Sequence, residues 1–174
     1  MASLSDRMLG AAKLDVRTYE EVEADTSAMG QSMWVVVLSS VAAGIGAGEG
    51  IVGLVVGSVA ALIGWFVWAL VTYLIGTKML AEPQTDADVG QLLRTTGFSA
   101  SPGLLRVLGI VPGIGMLAIA VANIWMLVSM VVAVRQALDY NSTARAVGVC
   151  LIGWLALLLI TMVLGVMTIG AFGM

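Results

Sequence analysis

The stretch Ser101–Gly115, SPGLLRVLGIVPGIG, decides the architecture. It is apolar at both ends, is punctuated twice by Pro-Gly, and carries Arg106 in its middle. Counted from Phe98 to Val111, its surroundings supply about 14 residues, or ~21 Å as an α-helix. The apolar core of a bilayer is ~30 Å thick. Two readings follow: a short span beside thinned bilayer, or a re-entrant hairpin turning at Pro112-Gly113. The choice sets the number of crossings and the side on which the chain ends.

Composition makes the bilayer the natural solvent. The 174 residues are 60% hydrophobic and 11% charged, against about 25% charged in a typical soluble domain. A soluble core could not absorb that apolar excess. The 21 glycines lie largely inside apolar runs, where they let helix backbones approach closely. With one Cys and no His, the chain has no internal disulfide and no histidine base. No zinc or haem site, and no other metal or cofactor, is expected. The acidic residues crowd into the first 25 positions, and no basic patch suits nucleic acid. The first apolar run begins near Met33 behind that acidic segment, so a cleavable signal peptide is not expected.

Around the opening stretch lie four clearer runs. The first, residues 29–47, follows the N-cap candidates Asp25, Thr26 and Ser27. A very short turn at Glu49 leads to the second, residues 51–76, so the two must pair as a hairpin. Gly53, Gly57 and Ala61 repeat every four residues there, a small-residue ridge for close helix packing. Trp68 and Tyr73 are placed near an interface, with Trp65 deeper. Residues 81–100 leave the membrane: Pro83 breaks the helix and Asp86 can cap a short interfacial one, with Arg94 on its polar side. After the 98–111 run come residues 114–134, carrying Asn123 as a candidate for a hydrogen bond between helices, and 146–169.

Residues 1–28 carry an apolar stripe (Leu4, Met8, Leu9, Val16, Tyr19, Val22) on one or two short amphipathic helices. Such a segment lies on the membrane or on the protein's own bundle, or else it docks a soluble partner, for which Leu9, Tyr19 and Val22 are the candidate contacts.

Charge bias arbitrates the topology. With five crossings and the N-terminus inside, Arg7, Lys13, Arg17, Lys78, Arg94, Arg135 and Arg145 are all cytoplasmic, and only Arg106 lies within a span. With a re-entrant third run, Arg135 and Arg145 would fall outside. The positive-inside rule therefore favours five. The expected fold is an all-α polytopic membrane protein: a cytoplasmic segment 1–28 and a five-helix domain 29–174, its third span short and interrupted by Pro and Gly, its C-terminus on the non-cytoplasmic side.

Three stretches together with the lead-in KLDVRTYEEVEADTSAMGQSM carry a resemblance. They are GWFVWALVTYLIGTKML (64–80), LLRTTGFSASPGLLRVLGIVPGIG (92–115) and AVRQALDYNSTARAVGVCLIGWL (133–155). The chain resembles the YIP1 family over nearly its whole length, and its compact loops are similar to the prokaryotic branch. The resemblance implies five membrane helices, a cytoplasmic N-terminus and a place in a bacterial cytoplasmic membrane. In eukaryotic relatives it implies binding to Rab-type GTPases and other membrane proteins in vesicle traffic, for which a segment of only about 30 residues is a poor match.

Arg106 is the foremost candidate site. An ionisable group within a span costs about 2.5–3.5 kcal/mol on translocon scales and marks function by default. Glu49 or a lipid phosphate is its expected partner; the plainer alternative is that Arg106 snorkels to the outer edge. Cys150 reads as an inert buried thiol, since no basic group is near to activate it. The glycines at 109, 113 and 115 lack the Lys-Ser/Thr of a phosphate loop. Asp86 and Asp88 suit a capped loop, and the methionines suit packing. No constellation points to catalysis. The expected function is that of a non-enzymatic scaffold, assembly factor or accessory subunit, with membrane lipids and another membrane protein or a second copy as partners. The alternative is a small transporter, channel or lipid-handling protein centred on Arg106.

Overall fold

The computed structural model describes residues 2–172, with side chains through Met162. Two short helices open the chain, α1 (Leu4–Ala12) and α2 (Val16–Ala24). Ser3 and Asp6 form a reciprocal capping box on the first, and the Asp15 carboxylate accepts from the Arg17 amide at the start of the second. Asp25 accepts from the Ser27 amide at 2.9 Å and opens a turn of 3₁₀ helix, Thr26–Ala28, that runs into α3 (Met29–Gly46). Gly48, at φ +74°, turns the chain into α4 (Ile51–Leu74), making the expected hairpin. Next come α5 (Val89–Phe98), a 3₁₀ segment (Ser101–Ile110), α6 (Gly115–Ala137) and α7 (Thr143–Phe172).

Among the described residues, four stretches are long and apolar enough to cross a membrane: Thr26–Gly46, Ile51–Met79, Gly115–Ala137 and Thr143–Met162. The second ends in a wide π turn, Ile75–Met79, in which the Leu80 amide reaches back to the Ile75 carbonyl at 3.0 Å. The Tyr140 hydroxyl lies 2.8 Å from the Gly76 carbonyl and 2.9 Å from that of Leu80, so it takes up acceptors at this helix end.

The run 98–111, expected as a short helical span, is instead the last residue of α5 followed by the 3₁₀ segment. A 3₁₀ helix rises ~2.0 Å per residue against 1.5 Å in an α-helix, so ten residues reach ~20 Å rather than ~15 Å. Runs beyond three or four residues are uncommon; here neighbours on both sides hold one of ten. A Cβ on Gly97 would come within 2.6 Å of the Ser32 Cβ, one on Gly103 would overlap the Ser39 hydroxyl, and one on Gly109 would approach the Gly46 carbonyl at 2.7 Å. Gly103 and Gly109 lie two 3₁₀ turns apart, ~12 Å. Ser39 and Gly46 lie two α turns apart, ~10.5 Å. The similar advances let contacts recur, so the segment runs beside α3 in the same direction. A Cβ on Gly115 would strike the Gly109 carbonyl oxygen, so α6 starts against the end of the segment and returns alongside it.

Buried side chains form two clusters. One joins α4, α5, α6 and α7 around Leu92, Val134, Leu138 and Val149. The other fixes the N-terminal helices, with Ala11, Tyr19 and Val22 packed on Val35, Phe98 and Ala133. Large apolar side chains cover the outside of the bundle, among them Val55, Ile63, Leu117, Leu151 and Leu159. Every Asp, Glu, Lys and Arg except Glu49 and Arg106 belongs to α1, α2, α5, the connecting chain, or the ends of the long helices that adjoin them, as Lys78, Arg135 and Arg145 do.

Local expectations shift by a turn or by a face. Asp88, not Asp86, caps α5, in a capping box with Gln91. Trp68 is buried rather than interfacial, with its indole N–H 3.1 Å from Met130 Sδ. Arg94, expected on a polar face, is buried: its Nε donates at 3.0 Å to the Val22 carbonyl and at 3.1 Å to that of Glu23, both at the C-terminal end of α2. Orphan carbonyls at a helix end favour a cation there.

Candidate functional site

Arg106 lies half-buried against α3 because the backbone of the 3₁₀ segment is pressed against that helix. Its Nε donates to the Gly103 carbonyl at 3.2 Å. Its Nη2 donates to the Ser39 carbonyl at 2.9 Å and to the Ser39 hydroxyl at 2.7 Å. Nη1 has no hydrogen-bond partner among the described residues. The guanidinium borders a cavity of about 400 Å³, to which Ser39, Ser40, Trp65, Thr96 and Met126 also contribute. Trp65 spends its indole N–H on the Leu93 carbonyl (3.1 Å) and Thr96 Oγ1 (3.2 Å), so this wall is preorganised. The arrangement can hold an anion: a fixed cation with N–H donors left over, a serine pair beside it, and apolar walls that weaken competition from water.

The residues singled out in the sequence do not all converge here. Glu49 is exposed and forms no ion pair with Arg106 among the described residues. Its amide bonds to the Gly44 carbonyl at 2.9 Å, closing the hairpin turn. Its carboxylate then lies back over the hairpin's own glycines, 2.9 Å from where a Cβ on Gly53 would stand and 3.1 Å from one on Gly44. Gly57 faces α3 loosely, with Ser40 Oγ 3.8 Å from its Cβ position, and Ala61 borders the cavity. The tightest glycine contacts lie between α3, the 3₁₀ segment and α6, not on this ridge. Asn123 is exposed on α6 and makes no hydrogen bond among the described residues. The expected inter-helix bond is therefore not formed, because its face of α6 turns outward. Thr161 is likewise exposed and bonds only to its own helix at Leu157 and Leu158.

Tyr19 and Val22 are fully buried, which removes them as contacts for a partner in this arrangement. The stripe that carries them is consumed by docking α1 and α2 on the bundle, and the Tyr19 hydroxyl donates to the Ala11 carbonyl at 3.1 Å. Burial pushes this phenol above its ordinary value. Leu9 alone of the three is exposed, at 59%.

Sequence reasoning passed over Ser39, Ser40 and Thr96. Ser39 and Ser40 adjoin within an otherwise apolar run, the one available signal, whereas Thr96 belongs to a segment read as interfacial. Two buried arginines, Arg7 and Arg94, and the half-buried Arg106 also divide in a way spacing alone does not disclose. Arg7, 3% exposed, binds Glu21 at 2.9 Å, Asp25 at 2.6 Å and Gln31 at 3.0 Å. Arg94 holds backbone carbonyls. Among the described residues Arg106 has neither a carboxylate nor a full set of acceptors.

Long apolar helices and an outward apolar surface define a helical transmembrane protein of the multi-span class. Residues 16–164 match the model of the Yip1 domain, which is most of the chain. The protein belongs to the Yip1 family. No curated protein and no solved structure matches it.

Proposed function

We propose that the protein is a non-catalytic membrane protein that binds another membrane component at the Arg106 cavity, in the manner of a small transporter or lipid-handling protein. The observation that carries this reading is a half-buried guanidinium that, among the described residues, has unused N–H donors, faces a cavity of about 400 Å³ and has no carboxylate partner. A cation partly withdrawn from water without a counter-charge is costly, and an anionic ligand would relieve that cost. Asn123 and Thr161 contribute nothing to the pocket, so the polar content comes from α3, α5 and the 3₁₀ segment alone.

The proposed topology has five crossings, the N-terminus and the charged end in the cytoplasm of a bacterial cell, and the C-terminus outside. Its support is the course of the 3₁₀ segment alongside α3, together with the grouping of all cations except Arg106 at one end. A C-terminal reporter active only in the cytoplasm should stay silent; activity would reverse the topology.

The second reading, a scaffold or accessory subunit working through helix contacts, draws on the wide outward apolar face of α4, where Val52, Val56, Val59 and Ile63 are each more than half exposed. Purification of the full chain from its own membrane in mild detergent separates the two. The first reading expects a non-protein molecule retained by the native chain and lost from Arg106→Gln. A stoichiometric protein partner retained by both would favour the second.

A further inference from the structure

The shape around Arg106 points to the kind of molecule that fits. Resting on the reading above, we infer that the cavity takes the phosphate of one membrane phospholipid, with an acyl chain laid in the adjoining groove between α6 and α7.

Depth is the first argument. Arg106 bonds to Ser39, about seven residues or ~10 Å from the Gly46 end of α3. A lipid phosphate enters from that end by a modest inward displacement, and the long arginine side chain shortens the distance further.

Donor geometry is the second. Nη2 is spent on the Ser39 carbonyl and hydroxyl, whereas the two N–H groups of Nη1 make no hydrogen bond among the described residues and can make charge-assisted bonds to phosphate oxygens. Ser40 borders the same space and can add a hydroxyl.

The third is the route in. Among the described residues α7 meets this cavity only through Leu157, and Leu158 through Met162 are exposed. The cavity therefore opens sideways toward lipid, past the small residues Ala61 and Gly64 of α4. A Cβ on Gly64 would meet nothing within 4 Å.

The fourth is what lies next door. A groove of about 320 Å³ between α6 and α7 shares Met126 and Met130 with the cavity and is otherwise lined by apolar groups such as Leu151 and Trp154. Its wall along α7, Val147–Trp154, is ~10 Å long. Thioethers make an adaptable partition between a polar head and a disordered chain. An anion without a tail would leave this apolar groove unused, and a neutral lipid would leave Arg106 without a counter-charge.

The test uses the full chain, delipidated in a maltoside detergent. Dioleoylphosphatidylglycerol, dioleoylglycerol (the same chains without phosphate) and inorganic phosphate are titrated separately. Bound molecules are counted by native mass spectrometry, and thermal melting is followed in parallel. One phosphatidylglycerol per chain is expected, bound at least about tenfold more tightly than dioleoylglycerol. Arg106→Gln should lose about tenfold or more, with Arg106→Lys between. Gly64→Leu fills the opening without touching Arg106 and should also weaken binding, while leaving unliganded melting unchanged or higher; it serves if the arginine variants fold poorly. Equal retention by Arg106→Gln and Gly64→Leu would mean lipid held only on the outer surface and would overturn the inference. Inorganic phosphate that binds as tightly and displaces the lipid would also overturn it, while leaving an anion site at Arg106 intact. Failure of all three probes, with an Arg106-dependent molecule still retained from the native membrane, would sink the phospholipid and spare the broader reading.

Discussion

The two ends of this bundle are held by opposite means. At the charged end, side chains make the joints: Arg7 bridges α1 to Glu21 and Asp25, Arg94 clasps the C-terminus of α2, and the Arg145 guanidinium lies 3.4 Å from the Glu82 carboxylate. Toward the other end, backbones meet directly, at Gly46 against the Arg106 carbonyl and at Gly109 against Gly46. An arginine at the first end is spent on structure. At the second, glycine contacts do the packing and leave Arg106 with donors to spare. A buried charge thus signals function only after its partners are counted.

The sharpest way to break this contrast is Arg94→Ala. It removes a buried cation and leaves the Val22 and Glu23 carbonyls without their donor, so we expect a loss of about 2–4 kcal/mol. Melting in detergent should register it, and limited proteolysis should show earlier cleavage within residues 1–28. Normal melting and protection would mean that the hydrophobic cluster around Tyr19 alone docks α2. Next comes Gly46→Ala, whose methyl would collide with backbone that cannot swing away. A cost of about 1–3 kcal/mol is expected, visible as a lower melting temperature. A neutral outcome would show the 3₁₀ segment free to shift. Smaller again is Arg106→Gln in the unliganded chain, where losing the bonds to Ser39 and Gly103 is offset by relief of a desolvated charge. We expect a change within about 1 kcal/mol. A drop as deep as that of Arg94→Ala would make Arg106 one more structural clasp.

These contrasts also explain what the sequence could disclose. Apolar length revealed four long helices, because hydropathy survives without knowledge of neighbours. Cap chemistry at Asp25, the short turn at Glu49 and the break at Pro83 marked joints for the same local reason. The 3₁₀ segment was not legible: its conformation depends on Gly46 and Ser39, which lie far away in the chain. Arg106 stood out as a charge in an apolar run, but its real partner, Ser39, was hidden in another helix. Glu49 was the obvious counter-ion by sign, yet its own tight turn carries it onto Gly44 and Gly53. Tyr19 and Val22, read as candidate contacts for a partner, are buried against the protein's own bundle while Leu9 stays exposed, because amphipathicity does not say whether a face docks on another protein or at home.

The smallest effect lies at the seam between α2 and the bundle. Glu23 receives the Gln91 side-chain amide at 3.1 Å. Burial first, then the nearby Asp139 carboxylate, push its carboxyl up to about 7, while Arg94 opposes the shift. Its ordinary value is near 4.5. Between those values the folded state binds a proton that the unfolded state has released, so stability falls as pH rises through that window. Docking of α2 should be tightest near pH 5 and loosen toward pH 8. The effect is a fraction of the Arg94 clasp, since Glu23 is partly exposed and screened. Protection of the amides of residues 16–24, taken relative to the intrinsic exchange rate at each pH, should fall over this range, and Glu23→Gln should flatten the response. An unchanged slope in that variant would show that Glu23 is not the group that sets the response.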